Sequence, residues 1–196
     1  MSQPASQPPL QRPARRADAE RNREKILAAA RSAFADPGAE ISMAEISRRA
    51  GVGMATLYRN FPGRRELLEA LYTDEVDAVC GAAETVDEET PGAALSAWLQ
   101  SLAAFFTSKH EVGTELLKHS DGTDSFFSEG RSRVLAAGQP LLAAAQETGE
   151  IRGDLTLEQI LEMVRAIAAI QGDPAYVQPI LLAALDGLRP PGAAKP

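Results

Sequence analysis

The chain has one cysteine, two histidines and one tryptophan in 196 residues, and aromatic residues make up only 5% of it. A single cysteine, Cys80, excludes an internal disulfide and any zinc site built from several thiolates. Two histidines nine positions apart, His110 and His119, leave little material for a histidine-based metal centre or a catalytic relay. No apolar run approaches the roughly 18 residues that span a bilayer. The opening residues, Met1 to Pro13, are polar and rich in Pro and Gln, without the apolar core of a secretory signal, so the expected location is the cytoplasm.

What is present is alanine and charge. Runs such as Ala28-Ala29-Ala30 and Ala143-Ala144-Ala145 favour helix, because alanine loses no side-chain freedom there. No segment alternates β-branched and polar residues, so the expected fold is all-α. The 20 Lys and Arg against 27 Asp and Glu give a net charge of −7, which taken alone argues against an acidic partner. The charge is unevenly divided, however. Residues 1–72 carry 12 basic and 8 acidic side chains, a net of +4, and the remainder carries 8 and 19, a net of −11. Screening over about 8 Å in physiological salt lets a basic head meet phosphates despite an acidic body.

Residues 1–18 contain four prolines and few large apolar side chains, and read as a flexible basic arm. Arg12, Arg15, Arg16 and Arg21 fit either insertion into a minor groove or simple solubilisation. From Arg21 to Phe34 the apolar residues Ile26, Leu27, Ala30 and Phe34 share one helical face, and Asp36-Pro37-Gly38 ends that helix. Ser42-Met43-Ala44-Glu45 has the pattern of a capping box, with Ser42 accepting from the third amide and Glu45 reaching back to the Ser42 amide. Ala50-Gly51-Val52-Gly53 then allows only a tight turn, and Met54 to Phe61 resumes helical spacing with Val52, Leu57 and Phe61 inward. Helix, glycine turn and short helix define a helix-turn-helix. Pro62-Gly63 breaks the chain before an amphipathic helix from Arg64 to about Gly81, and the acidic stretch Glu84 to Gly92 separates head from body. Further helices are expected at about 93–109, 112–119, 126–148, 156–171 and 175–188. The resulting division is an arm at 1–18, a helix-turn-helix domain at 19–72, a helical body at 73–189 and a disordered tail at 190–196.

A helix admitted to the major groove carries small or polar side chains outward, as Met54, Ala55, Thr56, Tyr58, Arg59 and Asn60 do. Thr56 and Tyr58 can bond phosphates, Arg59 can reach a guanine edge or a phosphate, and Met54 and Ala55 suit a thymine methyl. Arg64, opening the next helix, and Ser42, at the N-cap, complete the DNA-contacting set. Arg48 and Arg49 fit a solvated face as well as a phosphate contact.

The run Met43 to Leu68 (MAEISRRAGVGMATLYRNFPGRRELL) resembles the DNA-binding signature of TetR-family transcriptional regulators. Ile46-Ser47 stands for the family's Ile-Ala-type pair, followed by Ala50-Gly51-Val52, the small Gly53, Thr56-Leu57-Tyr58, the aromatic Phe61 and the basic Arg64. Two departures are Met43, where many members have a Thr whose hydroxyl can donate to a phosphate, and Arg64 in place of Lys. The resemblance implies a homodimer on a pseudo-palindromic operator in double-stranded DNA, its half-sites about 34–36 Å apart, and more often a repressor than an activator. It also implies pairing through the last two helices, where Leu157, Ile160, Leu161, Val164 and Ile167 and then Val177, Ile180, Leu181, Ala184, Leu185 and Leu188 form apolar stripes wide enough for both an internal core and a partner, the alternative being two wholly internal helices. It implies a small-molecule pocket as well, for which the bulky residues are Trp98, Leu102, Phe105, Phe106, Leu116, Phe126, Phe127 and Met163, residues that equally suit a plain core. No cofactor or metal is expected, and no enzyme: His110 and His119 with Ser120, Asp121 and Asp124 lack a nucleophile elbow, a phosphate-binding glycine loop or a metal-ligand pair. The rival reading is an adaptor that keeps the helix-turn-helix for protein contacts, and Cys80 is a second rival as a redox sensor.

Overall fold

The computed structural model describes residues 12–34, 41–118 and 124–190, with side chains over 17–34, 41–107 and 126–190. These residues form eight helices and no strand: α1 (Arg12–Phe34), α2 (Met43–Ala50), α3 (Met54–Asn60), α4 (Arg64–Thr85), α5 (Pro91–Lys118), α6 (Asp124–Glu147), α7 (Leu157–Ala168) and α8 (Pro174–Asp186). The all-α expectation holds.

The chain divides into two compact units, Met1–Leu71 and Tyr72–Pro196, with the boundary inside α4. In the first unit α1 packs against α2 and α3. Its core is Ile26, Leu27, Ala30, Ala33 and Phe34 from α1, Ile46 from α2, Leu57 from α3, then Phe61, and Leu67, Leu68 and Leu71 from the start of α4, all buried. In the second unit α5 packs on α6 and α7, α6 on α7, and α7 on α8. Trp98 of α5 lies at the centre of that core; its indole Nε1 donates to the Val79 carbonyl of α4 at 3.1 Å.

Local signals explain most helix boundaries. Ser42 caps α2 by accepting from the Glu45 amide, Thr156 and Gln159 form a reciprocal capping box on α7, and Asp173 caps α8 with Pro174 directly after it. Gly51 ends α2 in the left-handed region at φ 64°, a conformation that side chains with a Cβ resist.

Three expectations are corrected. The first helix begins at Arg12, not Arg21, so the stretch from Arg12 to Ala17 is helical rather than an arm. Pro13 falls in the first turn, where a missing amide costs nothing, and the following Ala- and Arg-rich residues are good helix formers. The break expected near residues 110–112 is absent: α5 continues through Gly113 to Lys118, since one glycine weakens a helix by about 1 kcal/mol without ending it. Of the capping box on α2 only half exists, because the Glu45 carboxylate turns to Arg48 and Arg49. Most of the expected arm, residues 1–11, and the expected tail beyond Pro190 lie outside the described residues.

Candidate nucleic-acid interface

The turn between α2 and α3 is held from both sides. The Ser47 hydroxyl donates to the Val52 carbonyl at 2.6 Å, and the Val52 amide donates to the Ser47 carbonyl at 3.2 Å. Ser47 is the buried polar residue of this core, so its hydroxyl needs a partner and finds it in the turn. Leu57 anchors α3 inward, and Phe61 seals its end with the Arg23 guanidinium of α1 4.8 Å above its ring centroid. The fixed helix then leaves Met54, Ala55, Tyr58 and Arg59 exposed, with Tyr58 at 47% of its free surface. A tyrosine left that open is available to a partner rather than committed to packing.

The remaining expected DNA residues are placed differently. Thr56 and Asn60 are half-buried, and the Asn60 side-chain amide donates to the Thr56 carbonyl at 2.8 Å. Arg59 folds back along α3: its Nε donates to the Ala55 carbonyl and its Nη2 to the Thr56 hydroxyl, both at 3.1 Å. Ser42 is exposed at its N-cap. Arg64 is turned into the protein, its guanidinium donating to the Ile41 carbonyl and lying 5.7 Å over the Phe34 ring. Position 64 therefore fastens the start of α4 to the first unit's core, a duty its charge alone did not reveal.

Arg48 and Arg49 share one carboxylate. Glu45 accepts from Arg48 Nε and Nη2 at 2.8 and 2.7 Å and from Arg49 Nε at 2.7 Å. These bonds hold the Glu45 carboxyl down at about 2 and raise the Arg48 guanidinium further.

In the second unit the residues expected at a dimer face are mostly internal to one chain. Leu157, Ile160, Leu161, Val164 and Ile167 of α7 are buried, as are Leu181, Leu185 and Leu188, and Val177, Ile180 and Ala184 are half-buried against the same core. A wide apolar stripe satisfied the chain's own core first. The large apolar residues that α8 leaves exposed are Tyr176 and Leu182, which the stripe pattern passed over.

The bulky set expected around a ligand also packs together. Trp98 and Leu102 have no more than 1% of their surface open, too little for a cavity wall. Phe105 and Phe106 meet edge to face, Phe126 and Phe127 pack on Tyr72 with centroids 5.0 and 5.2 Å away, and Met163 leans on the core. The Leu116 side chain lies outside the described residues. A cleft of about 270 Å³ opens elsewhere, between α5, the end of α7 and α8, where Gln100, Thr107 and Gln178 edge an apolar wall that includes Ile167, Val177 and Leu181. Cys80 is half-buried, and burial pushes its thiol pKa up although Arg133 opposes the shift. Of the residues considered for catalysis, His119, Ser120 and Asp121 lie outside the described residues, and so do the side chains of His110 and Asp124. Among the described residues no cluster of His, Cys, Asp or Glu forms a metal site, and no helix is long and apolar enough to cross a membrane.

A tri-helical head with a glycine-turned helix pair, followed by a separate helical body, defines a helix-turn-helix regulator. Known proteins carry this further. Residues 26–71 match the family of bacterial regulatory proteins named for TetR, and residues 90–190 match the C-terminal domain of SbtR-like transcriptional regulators. The TetR transcriptional regulator SCO0520 of Streptomyces coelicolor is 33% identical over 87% of this chain and 99% of its own, with a TM-score of 0.73. A TetR regulatory protein of Mycobacterium vanbaalenii is 31% identical over 89% and 98%, with a TM-score of 0.71. An HTH-type transcriptional regulator of Mycobacterium bovis is 41% identical over 56 residues, 28% of this chain. The nucleoid occlusion factor SlmA of Marinobacter nauticus is 38% identical over 68 residues, 34% of this chain. These two curated relatives are matched over about a third of their own length, 30% and 35%. The chain belongs to the TetR family of DNA-binding transcriptional regulators.

Proposed function

We propose that the chain is a cytoplasmic homodimeric repressor that holds a pseudo-palindromic operator through α2 and α3 and releases it when a small molecule binds the body. The domain at 19–72 reads DNA, and the domain at 73–189 supplies both the partner contact and the effector site. The observation that carries this reading is the outward face of α3, where Met54, Ala55, Tyr58 and Arg59 stand exposed on a helix fixed from within by Leu57 and Ser47. Tyr58 bonds a phosphate and Arg59 reaches a guanine edge or a phosphate, with Ser42, Thr56 and Asn60 at the margins. The cleft beside Gln100, Thr107 and Gln178 supports an effector site in the body. An effector acts by preferring the conformation of the body in which the heads lose their operator spacing.

Selection of duplexes from a randomised library by the full chain tests this reading. The expected product is an inverted repeat whose affinity falls steeply with salt, as phosphate contacts release counterions. Tyr58→Phe lowers affinity for all duplexes alike. Enrichment of no sequence, with binding to duplex indifferent to salt, favours the rival reading, an adaptor that uses its head on proteins.

A further inference from the structure

Arg59 is the sixth of seven residues in α3, yet its charge does not sit at that end of the helix. The Nε bond to the Ala55 carbonyl and the Nη2 bond to the Thr56 hydroxyl carry the guanidinium back by about one turn, to the level of the second and third residues. Long helical side chains lean toward the N-terminus in general. Here two hydrogen bonds fix the lean in one place. Recognition helices meet base edges mainly with their N-terminal residues, so the fold-back moves the cation to the part of α3 where bases are read.

The bonds also select which donors remain. A guanidinium has five N–H donors in a planar fork. With Nε and one Nη2 hydrogen engaged on the helix itself, the other donors are both hydrogens of Nη1 and the second of Nη2. These form the outer edge of the fork, which matches two acceptors side by side. Guanine offers that pair in the major groove through N7 and O6, whereas adenine and thymine each place one acceptor beside a donor or a methyl group.

We propose that Thr56 is the positioning residue for base reading: its hydroxyl sets the Arg59 fork so that its Nη1–Nη2 edge selects guanine at one position of each half-site. The inference rests on the DNA-binding reading above and goes beyond it, since Thr56 acts through Arg59 rather than only on the backbone. A hydroxyl has two acceptor lone pairs and one donor hydrogen. Accepting from Arg59 leaves that hydrogen able to bond a phosphate, so one side chain ties the register of the helix on the backbone to the aim of the base-reading group. Asn60, bonded to the Thr56 carbonyl, holds the same residue from its main-chain side.

The test applies library selection to the full-length chain and to variants at two positions, with each preference measured as the ratio of affinities for guanine and the best competing base. Arg59→Ala erases one guanine preference per half-site, a loss of about tenfold. Thr56→Val, which keeps shape and removes the acceptor, erases the preference at that same position, and Thr56→Ser retains it. The double variant Thr56→Val, Arg59→Ala shows no additional loss there. Thr56→Ala, without a β-branch, repeats the valine result should valine disturb the head, and circular dichroism checks that each variant is folded. If Thr56→Val lowers affinity evenly and leaves the ratio intact while Arg59→Ala abolishes it, the positioning role is overturned and DNA reading stands. If Arg59→Ala leaves every preference intact, Arg59 reads no base and the inference fails, again without touching the wider reading. Absence of any selected sequence with the unmodified chain overturns both.

Discussion

Ser47 and Val52 exchange two hydrogen bonds across the turn of the helix pair, hydroxyl to carbonyl at 2.6 Å and amide to carbonyl at 3.2 Å. The second is available to any residue at position 47, but the first needs the hydroxyl. Ser47 also lies where the resembled family pattern carries an alanine-type residue, so the hydroxyl is an additional tie in this chain. Ser47→Ala leaves the Val52 carbonyl short of a partner and is expected to lower the stability of the head by about 1 kcal/mol. Chemical denaturation followed by circular dichroism reads that loss, and unchanged stability would show that water replaces the hydroxyl without cost.

The glycines of the same turn separate two physical effects. A Cβ at Gly51 or at Gly53 meets nothing within 4 Å, so neither site is crowded. Gly51 has a φ of 64° whereas Gly53 sits at −71°. Gly51→Ala is expected to cost roughly 1–2 kcal/mol through backbone conformation alone, and Gly53→Ala close to nothing. Gly138 offers the contrary case: its backbone is ordinary, but a Cβ there would run into the Trp98 ring. Gly138→Ala should lower the body's stability by about 1–3 kcal/mol through overpacking. Comparable losses at positions 51 and 53 would contradict this account.

The sequence made the helix-turn-helix legible because its signals are local. Gly51, the Ser42 cap and the inward Leu57 each constrain the backbone within a few residues. The start of α1 was hidden because Pro13 stops a helix in its interior yet fits its first turn, and the arm's composition suggested the former. The division of apolar stripes between core and partner was not legible at all. Leu161 and Leu182 look alike in a periodic pattern, but one is buried by the chain itself and the other is exposed. Arg59 lies three residues after Thr56, a spacing that allows contact on a helix without choosing between a partner on the helix and one in solution. Nothing in the charge of Arg64 indicated the Ile41 carbonyl as its target.

Acid should loosen the head through Glu45. Its carboxyl is held at about 2, against an ordinary 4.5, by hydrogen bonds from Arg48 first and Arg49 next. A depressed carboxyl pKa contributes stability that is complete above the unfolded value and is lost as pH falls through the folded one, because in that window the unfolded chain binds more protons. The thermal midpoint of the head is therefore expected to fall as pH drops from about 4.5 toward 2, and to fall less in Glu45→Gln, which has no proton to gain. Parallel profiles for the two proteins would remove Glu45 from the acid response.

The exposed residues of α8 bear on the proposed homodimer. A two-fold partner needs an apolar surface that the single chain has not already covered, and the α7 stripe from Leu157 to Ile167 does not supply one. Tyr176 and Leu182 are open at 64% and 42% of their surface, and Pro179 and Ala183 between and beside them are exposed as well. Residues 176, 179 and 183 follow the three- and four-residue steps of one helical face. A second copy seated there would bury two aromatic rings and two leucines across one symmetric interface, with the same patch used twice. Replacing both large residues, Tyr176→Asp with Leu182→Asp, puts charges where burial is required but alters no side chain of the chain's own core. The expected result is a folded monomer by sedimentation equilibrium, with unchanged helicity and a weakened grip on a two-half-site operator. By contrast Leu161→Ala should lower the stability of each subunit by about 2–5 kcal/mol before it affects association. A dimer that survives the double aspartate substitution would place the interface on another face of the body.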